Sequence, residues 1–318
     1  MIIAADIGGT SCRLAACEDD GRVVDLEVYP SRDYARLGDV VSQFAARGPY
    51  RFRVGCFGLP GAVIGGRCKP TDLPWELVDA AELAAATGID HVELVNDLEA
   101  NAYGLPTLSA DELLVLNAGC PVPGGNVAIV SPGTGLGEAA VILVDGAPVV
   151  IASEGGHADF GPIDDGEVEL LRYIQRFYRC ATYELVLSGY GLECMYQVQR
   201  ERLGGPAPER LAANEISEAA LAGDDEMCVR ALDMYVSILA AEAANATLKF
   251  FALGGVFIGG GIAPKIRRKL VEPAFMDRFA CKDKMAGVLR SVPVSLILND
   301  RAALQGAITH AARLARAA

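Results

Sequence analysis

Positive charge is scarce in this 318-residue chain: 28 Lys and Arg stand against 41 Asp and Glu, a net charge of -13. With a pI near 4.8, it offers no basic face to nucleic acid or to an anionic membrane, and neither is expected as a partner. A phosphorylated ligand stays open, because backbone amides and a bound cation hold phosphate locally. Long apolar runs are missing too; the stretch at 141–151 is cut by Asp145 and Gly146, so no membrane span is expected. No basic leader precedes the first strand, so no secretory signal is expected either, and the expected compartment is the cytoplasm. The nine cysteines contain no CxxC pair. They read as small buried residues of a reducing compartment instead of a disulfide framework, and Asn245-Ala246-Thr247 then carries no glycan. Low-complexity segments and an evident linker are also lacking.

What is present is ordinary globular material, 52% hydrophobic and 22% charged, long enough for two domains. The chain opens MIIAADIGGTSCRLAAC. An apolar strand ends in Asp6, turns through Gly8, Gly9 and Thr10, and resumes as a second strand. Alone, this reads either as a plain hairpin or as a loop whose amides face an anion. Strands are expected at 2–6, 13–17 and 23–29. A helix carrying Leu37, Val40, Val41 and Phe44 follows, then a strand at 53–57, a short helix near 82–86 and a strand at 91–95 running into Asn96-Asp97.

The pattern then restarts. Strands at 113–116 and 127–130 precede SPGTGLGEAA, a second copy of the strand, glycine turn and strand seen in DIGGTSCRLA. Residues 167–250 read as almost entirely helical. GGVFIGGG gives a third strand ending in glycines, followed by a helix from about Pro264, a strand at 294–298 and a C-terminal helix expected to pack on the N-terminal domain. The fold class expected is α/β: two duplicated mixed-sheet domains with a cleft between them, one formed by 1–108 plus 299–318 and the other by 109–298 with a helical insertion. None of the glycine loops contains the Gly-Lys-Ser/Thr of a Walker motif. Asp6 suits a hydrated Mg²⁺, a cation that keeps several waters and takes few carboxylates.

DIGGT, LVND, SPGTGLG, SEGGH, LSGYGL and GGVFIGGG occur in that order. The set resembles the bacterial glucokinase family of the actin-like ATPase (ribonuclease H-like) fold, over the whole chain. The resemblance implies phosphorylation of glucose at its 6-hydroxyl by ATP with Mg²⁺, and a homodimer. It implies that Asp97 is the catalytic base and that Asn96, Glu154, His157 and Glu184 bind the sugar. It also implies that Gly8, Gly9 and Thr10 form one phosphate loop, Gly133, Thr134 and Gly135 a second, and Gly259, Gly260 and Gly261 the adenosine loop. Closely spaced cysteines do not follow His157, so the zinc site of the repressor-related sugar kinases is not expected. Glu99 stands where other members often carry an uncharged residue.

Phosphoryl transfer needs positioning and charge neutralisation, and a carboxylate within reach of the acceptor hydroxyl serves as base. Asp97 alone is read equally well as a helix cap. His157 alone reads as a structural histidine and Glu184 as a solvated helix residue. Trp75 reads as a packing anchor, His91 and His310 as surface or capping residues, and Asp224-Asp225-Glu226 as a helix start. The alternatives are a kinase for another hexose and a non-catalytic sugar or nucleotide sensor.

Overall fold

The computed structural model describes residues 1–71, 73–204 and 210–317. The chain forms two compact units, Met1–Ser109 with Asn299–Ala318, and Ala110–Leu298.

In the first unit the apolar run at the N-terminus becomes β1 (Ile2–Ile7), the central strand of a five-stranded sheet. With β2 (Ser11–Cys17), β3 (Val23–Pro30), β4 (Val54–Leu59) and β8 (His91–Asn96) the order is β3-β2-β1-β4-β8. β2 pairs antiparallel to β1, and β4 pairs parallel to it. Alternation along β1 divides its side chains between two cores, as the period of two requires. Ile3, Ala5 and Ile7 face one, with Leu37, Val40, Val41 and Phe44 of α1 (Leu37–Ala45) and with Trp75. Trp75 is 1% exposed and donates Nε1–H to the Tyr34 carbonyl at 2.8 Å, so it does anchor packing. The strands β5 (Val63–Ile64), β6 (Arg67–Cys68) and β7 (Val78–Asp79) form a small separate sheet ahead of α2 (Ala80–Thr87).

Ile2 and Ala4 face the other core, against Leu304, Ala307, Ile308 and Ala311 of α12 (Ala302–Ala317). α12 also packs on α3 (Asp97–Gly104), and the two helices touch through glycines. A Cβ on Gly306 would run into the Ala100 carbonyl, and one on Gly104 into the Ala302 carbonyl. The same contact overturns the surface reading of His310. It is 2% exposed, with Nε2 3.0 Å from Glu93 Oε1 and its ring stacked 4.1 Å from that of Tyr103. Position 310 falls on the buried side of a helix that presses so closely on its neighbours. His91 is exposed, as read from the sequence.

The second unit repeats the arrangement. β9 (Leu113–Asn117), β10 (Val127–Pro132), β11 (Leu136–Val144), β12 (Ala147–Ser153), β13 (Gly255–Ile258) and β14 (Val294–Ile297) take the order β12-β11-β10-β13-β14-β9. Three antiparallel strands followed by two parallel ones match β3-β2-β1-β4-β8 of the first unit, which is the duplication read from the two glycine turns. The helices are α4 (Asp165–Ile174), α5 (Tyr183–Val186), α6 (Gly189–Leu203), α7 (Ala213–Ala222), α8 (Glu226–Phe250), α9 (Arg267–Leu270), α10 (Pro273–Phe279) and α11 (Ala286–Ser291). Tyr235, Ile238, Leu239 and Ala243 of α8 are buried in the core. Asp225 caps α8 by accepting the Met227 and Cys228 N–H groups, so the acidic run is a helix start.

Two expectations need correction. The 167–250 stretch is not continuous helix: α4 ends at Ile174, and the chain then pairs briefly with residues 158–160 before α5. Residues 205–209 of that stretch lie outside the described residues. The helix expected from Pro264 begins at Arg267, because Ile262 N–H is held by the Pro132 carbonyl at 3.3 Å and the intervening residues turn instead. Of the cysteines, Cys12, Cys17, Cys56, Cys68, Cys194 and Cys228 are buried, whereas Cys120, Cys180 and Cys281 are exposed, and none is in a disulfide. No helix among the described residues is long and apolar enough to cross a membrane.

The helix contact gives a test. Gly306→Val should destabilise the first unit by about 3 kcal/mol or more, since overpacking here meets rigid backbone. Gly287→Ala, where a Cβ meets nothing within 4 Å, should change stability by under about 1 kcal/mol, and in the favourable direction. Urea melts followed by circular dichroism read both.

Candidate active site

In the first unit the GGT turn closes between β1 and β2. Gly8 N–H donates to the Ser11 carbonyl at 2.9 Å. Ser31, fully buried, donates its hydroxyl to the Gly8 carbonyl at 2.6 Å and its N–H to the Thr10 carbonyl at 3.0 Å. The turn is thus tethered by its carbonyls. Thr10 is exposed, and a Cβ on Gly8 would meet only an ordinary contact. Next to the turn, Arg13 Nη1 lies 3.6 Å from Asp6 Oδ2, while the same guanidinium binds Asp300 through the carbonyl at 2.6 Å and the carboxylate at 3.0 Å. Burial pushes the Asp6 carboxyl above the usual range; Arg13 opposes this and Asp300 adds to it.

Asn96 and Asp97 sit where β8 becomes α3. Asn96 is the N-cap: its Oδ1 accepts Leu98 N–H at 2.8 Å, and its Nδ2 donates to the Gly61 carbonyl at 3.1 Å. Glu99 completes a capping box, Oε2 accepting Asn96 N–H at 3.3 Å. Glu99 therefore fastens the residue before Asp97 to the first turn of α3. Burial raises the Glu99 carboxyl above its ordinary range, opposed by that N–H and by His310. Asp97 is half-buried in the first turn of α3, with its carbonyl taken by Asn101 Nδ2 at 3.0 Å. The cap is therefore Asn96, one residue earlier than the capping alternative for Asp97.

In the second unit, two glycine loops lie against each other at the ends of parallel strands β10 and β13. Gly259 presses on Ser131 Oγ, and Gly260, at φ +77°, on the Pro132 carbonyl. Gly133 and Gly261 are different: a Cβ on either would meet nothing within 4 Å. Nothing inside this unit requires glycine at those two positions. Ser131 was missed in the sequence. It is buried, and its hydroxyl has no partner among the described residues.

The hydroxyl-binding candidates of this unit come together around the same turn. Glu184 Oε2 accepts Leu136 N–H at 2.6 Å, and its carboxylate fills the space a Cβ on Gly135 would need. It is half-buried, so the reading of a solvated helix residue fails. Gly156 packs on the Leu136 carbonyl and Gly155 on the Glu138 carboxylate, so the SEGGH turn rests on β11. Glu154 and His157 are exposed, with His157 Nε2 3.8 Å from Glu154 Oε2; neither is a buried structural residue. Phe160 N–H bonds to the Ala181 carbonyl at 2.9 Å, and Tyr183 N–H to the Ala158 carbonyl at 3.1 Å. This short ladder ties the segment after His157 to the segment that carries Glu184.

The glucokinase family profile matches residues 3–314. The chain belongs to the glucokinase family. Its class of activity is that family's, ATP-dependent phosphorylation of a hexose. The glucokinase of Nostoc sp. is 35% identical, the match covering 99% of each chain. The crystal structure of a glucokinase from an Antarctic psychrotroph superposes with a TM-score of 0.85 at 30% identity, covering 98% of each chain. A ROK family glucokinase from Streptomyces griseus, solved with glucose and AMPPNP, shares the fold at 21% identity, with a TM-score of 0.64 over 100% of this chain and 99% of that one. The glucokinase-family fold, two α/β units with mixed sheets, is the architecture described above.

Glu99→Ala should leave Asn96 N–H without its acceptor and cost about 1–2 kcal/mol in stability. Glu99→Gln, which still accepts that N–H, should recover most of the loss. Thermal melts of the two variants check this.

Proposed function

We propose that the chain transfers the γ-phosphoryl group of ATP to the 6-hydroxyl of glucose, giving glucose 6-phosphate and ADP. The observation that carries this reading is Asp97 at the strand-to-helix junction of a chain that matches the glucokinase family from residue 3 to 314. Strand ends of this kind face ligand in open α/β sheets. Asp97 accepts the hydroxyl proton as the sugar oxygen bonds to the γ-phosphorus and the bond from that phosphorus to the bridging oxygen of ADP breaks. Asn96, Glu154, His157 and Glu184 hold the other hydroxyls. Carboxylate, amide and imidazole groups match a ring of groups that each donate and accept.

The glycine loops take the nucleotide: Gly8, Gly9 and Thr10, and Gly133, Thr134 and Gly135, for the phosphates; Gly259, Gly260 and Gly261 for the adenosine. The open space over Gly133 and Gly261 supports this, since a ligand explains glycines that the unit's own packing does not. Asp6 has the chemistry to hold Mg²⁺ through water: a raised carboxyl whose neighbour Arg13 is bound more closely to Asp300. Bound with the phosphates, that cation neutralises charge on the transferring group. A homodimer in the cytoplasm, working in glycolysis, completes the reading. The exposed Val23, Val24, Leu26 and Val28 on edge strand β3 offer an apolar surface for the partner copy.

Purified protein with Mg-ATP and glucose should yield glucose 6-phosphate in a coupled assay, with a lower kcat/KM for other hexoses. Asp97→Asn should still bind glucose by calorimetry while kcat falls by about 10²–10⁴. Unchanged turnover in that variant removes Asp97 from the chemistry. A preference for another sugar by kcat/KM replaces glucose in the reading.

A further inference from the structure

A buried acidic pair lies behind the Gly155–Gly156 turn. Glu138 of β11 is 1% exposed and Glu242 of α8 is 0% exposed. Both Glu138 oxygens are buried, and neither receives a hydrogen bond from the described residues. Glu138 Oε2 stands where a Cβ on Gly155 would have to go. Glu242, by contrast, is engaged: Oε1 accepts from Lys249 Nζ at 2.9 Å, and Oε2 from Asn245 Nδ2 at 2.8 Å. Asn245 Oδ1 accepts in turn from Lys282 Nζ at 2.6 Å.

Glu138 and Glu242 interact side chain to side chain, and two carboxylates so placed inside a protein do not both stay ionised unless a cation lies between them. Lys249 is bonded to Glu242, which leaves the proton to Glu138. Burial first, and Glu242 second, push the Glu138 carboxyl up to about 8, with Lys249 opposing. Among the described residues, other charged or titratable groups near the pair include Tyr183 from α5 and Lys282 with Arg278 beside it, and the turn itself carries the exposed Glu154 and His157. The residues paired with Glu138 on the two neighbouring strands, Val130 and Ser153, do not titrate.

We propose that Glu138 and Glu242 share one proton, and that the resulting O–H···O bond props the Gly155–Gly156 turn from behind and so positions Glu154 and His157. The inference rests on the reading that these two residues bind the sugar. The turn is held on one side by the Leu136 carbonyl against Gly156, and on the other by Glu138 against Gly155. Loss of the shared proton replaces a bond by like-charge repulsion on that second side, and the turn shifts with it. Sugar affinity then falls while the phosphoryl-transfer step, once sugar is bound, does not.

The test measures glucose KM and kcat between pH 6.5 and 9.5 for the full chain and for Glu138→Gln and Glu242→Gln. The wild type should show glucose KM rising about fivefold or more through pH 8, with kcat and the KM for ATP changing far less. Glu138→Gln keeps a donor toward Glu242 that does not titrate, and Glu242→Gln gives the Glu138 carboxylate an amide donor. Both should remove the alkaline rise, and either variant is informative if the other fails to fold. Profiles that overlay the wild type overturn the proposal. Infrared spectra at pH 7 should show a protonated-carboxyl C=O stretch that Glu138→Gln abolishes, and absence of that band from the wild type also overturns it. Should Glu154→Ala leave glucose KM at pH 7 unchanged, the sugar-site reading fails instead, and the infrared band still decides whether the proton is shared.

Discussion

Several close approaches in this protein are made where a side chain is missing. Glu184 lies on Gly135, Glu138 on Gly155, the Leu136 carbonyl on Gly156, the Pro132 carbonyl on Gly260 and the Ala100 carbonyl on Gly306. Each brings a carboxylate or a carbonyl against backbone at a distance no Cβ would permit. Four of the five lie around the turns that end β10, β12 and β13, and the fifth sets α3, which carries Asp97, on α12. Within each unit these contacts depend on backbone proximity, and side-chain chemistry is added at their edges.

This explains how an acidic chain can belong to a kinase family. In the proposed reading its anion-handling elements are turns, and an amide needs no basic residue beside it. Acidic side chains serve as caps and, in the same reading, take hydroxyls and a cation. Asp6 and Asp300 share one arginine, Glu99 caps α3, and Glu138 and Glu242 meet in the interior. In each case what surrounds the carboxyl, more than its residue type, decides its use.

Much of the architecture was legible in the sequence because it is periodic or repeated. The all-apolar run of β1, the helical spacing of Leu37, Val40, Val41 and Phe44, and the two glycine turns with their flanking strands each carry a local signal. Asn96 and Asp97 were legible as a strand-end pair. The rest depends on contacts distant in sequence. His310 reads as a surface residue until α12 is laid on Glu93 and Tyr103. Glu99 has no evident purpose until the Asn96 N–H is seen pointing at it. Ser131 is an ordinary serine until Gly259 covers it. Glu138 did leave a trace, a lone charge inside the apolar strand LGEAAVILV, but its partner is 104 residues away in the chain.

The placement of α12 has a consequence for biosynthesis. One of the two cores of the first unit is built from Ile2, Ala4, Ala15 and Val95 together with Ala303, Leu304, Ala307 and Ala311. A nascent chain emerging N-terminus first therefore exposes that apolar sheet face while nearly two hundred further residues are made. The intervening unit, continuous from Ala110 to Leu298, has all its own strands before α12 is translated. It can fold first, and the unit that begins the chain is the one completed last.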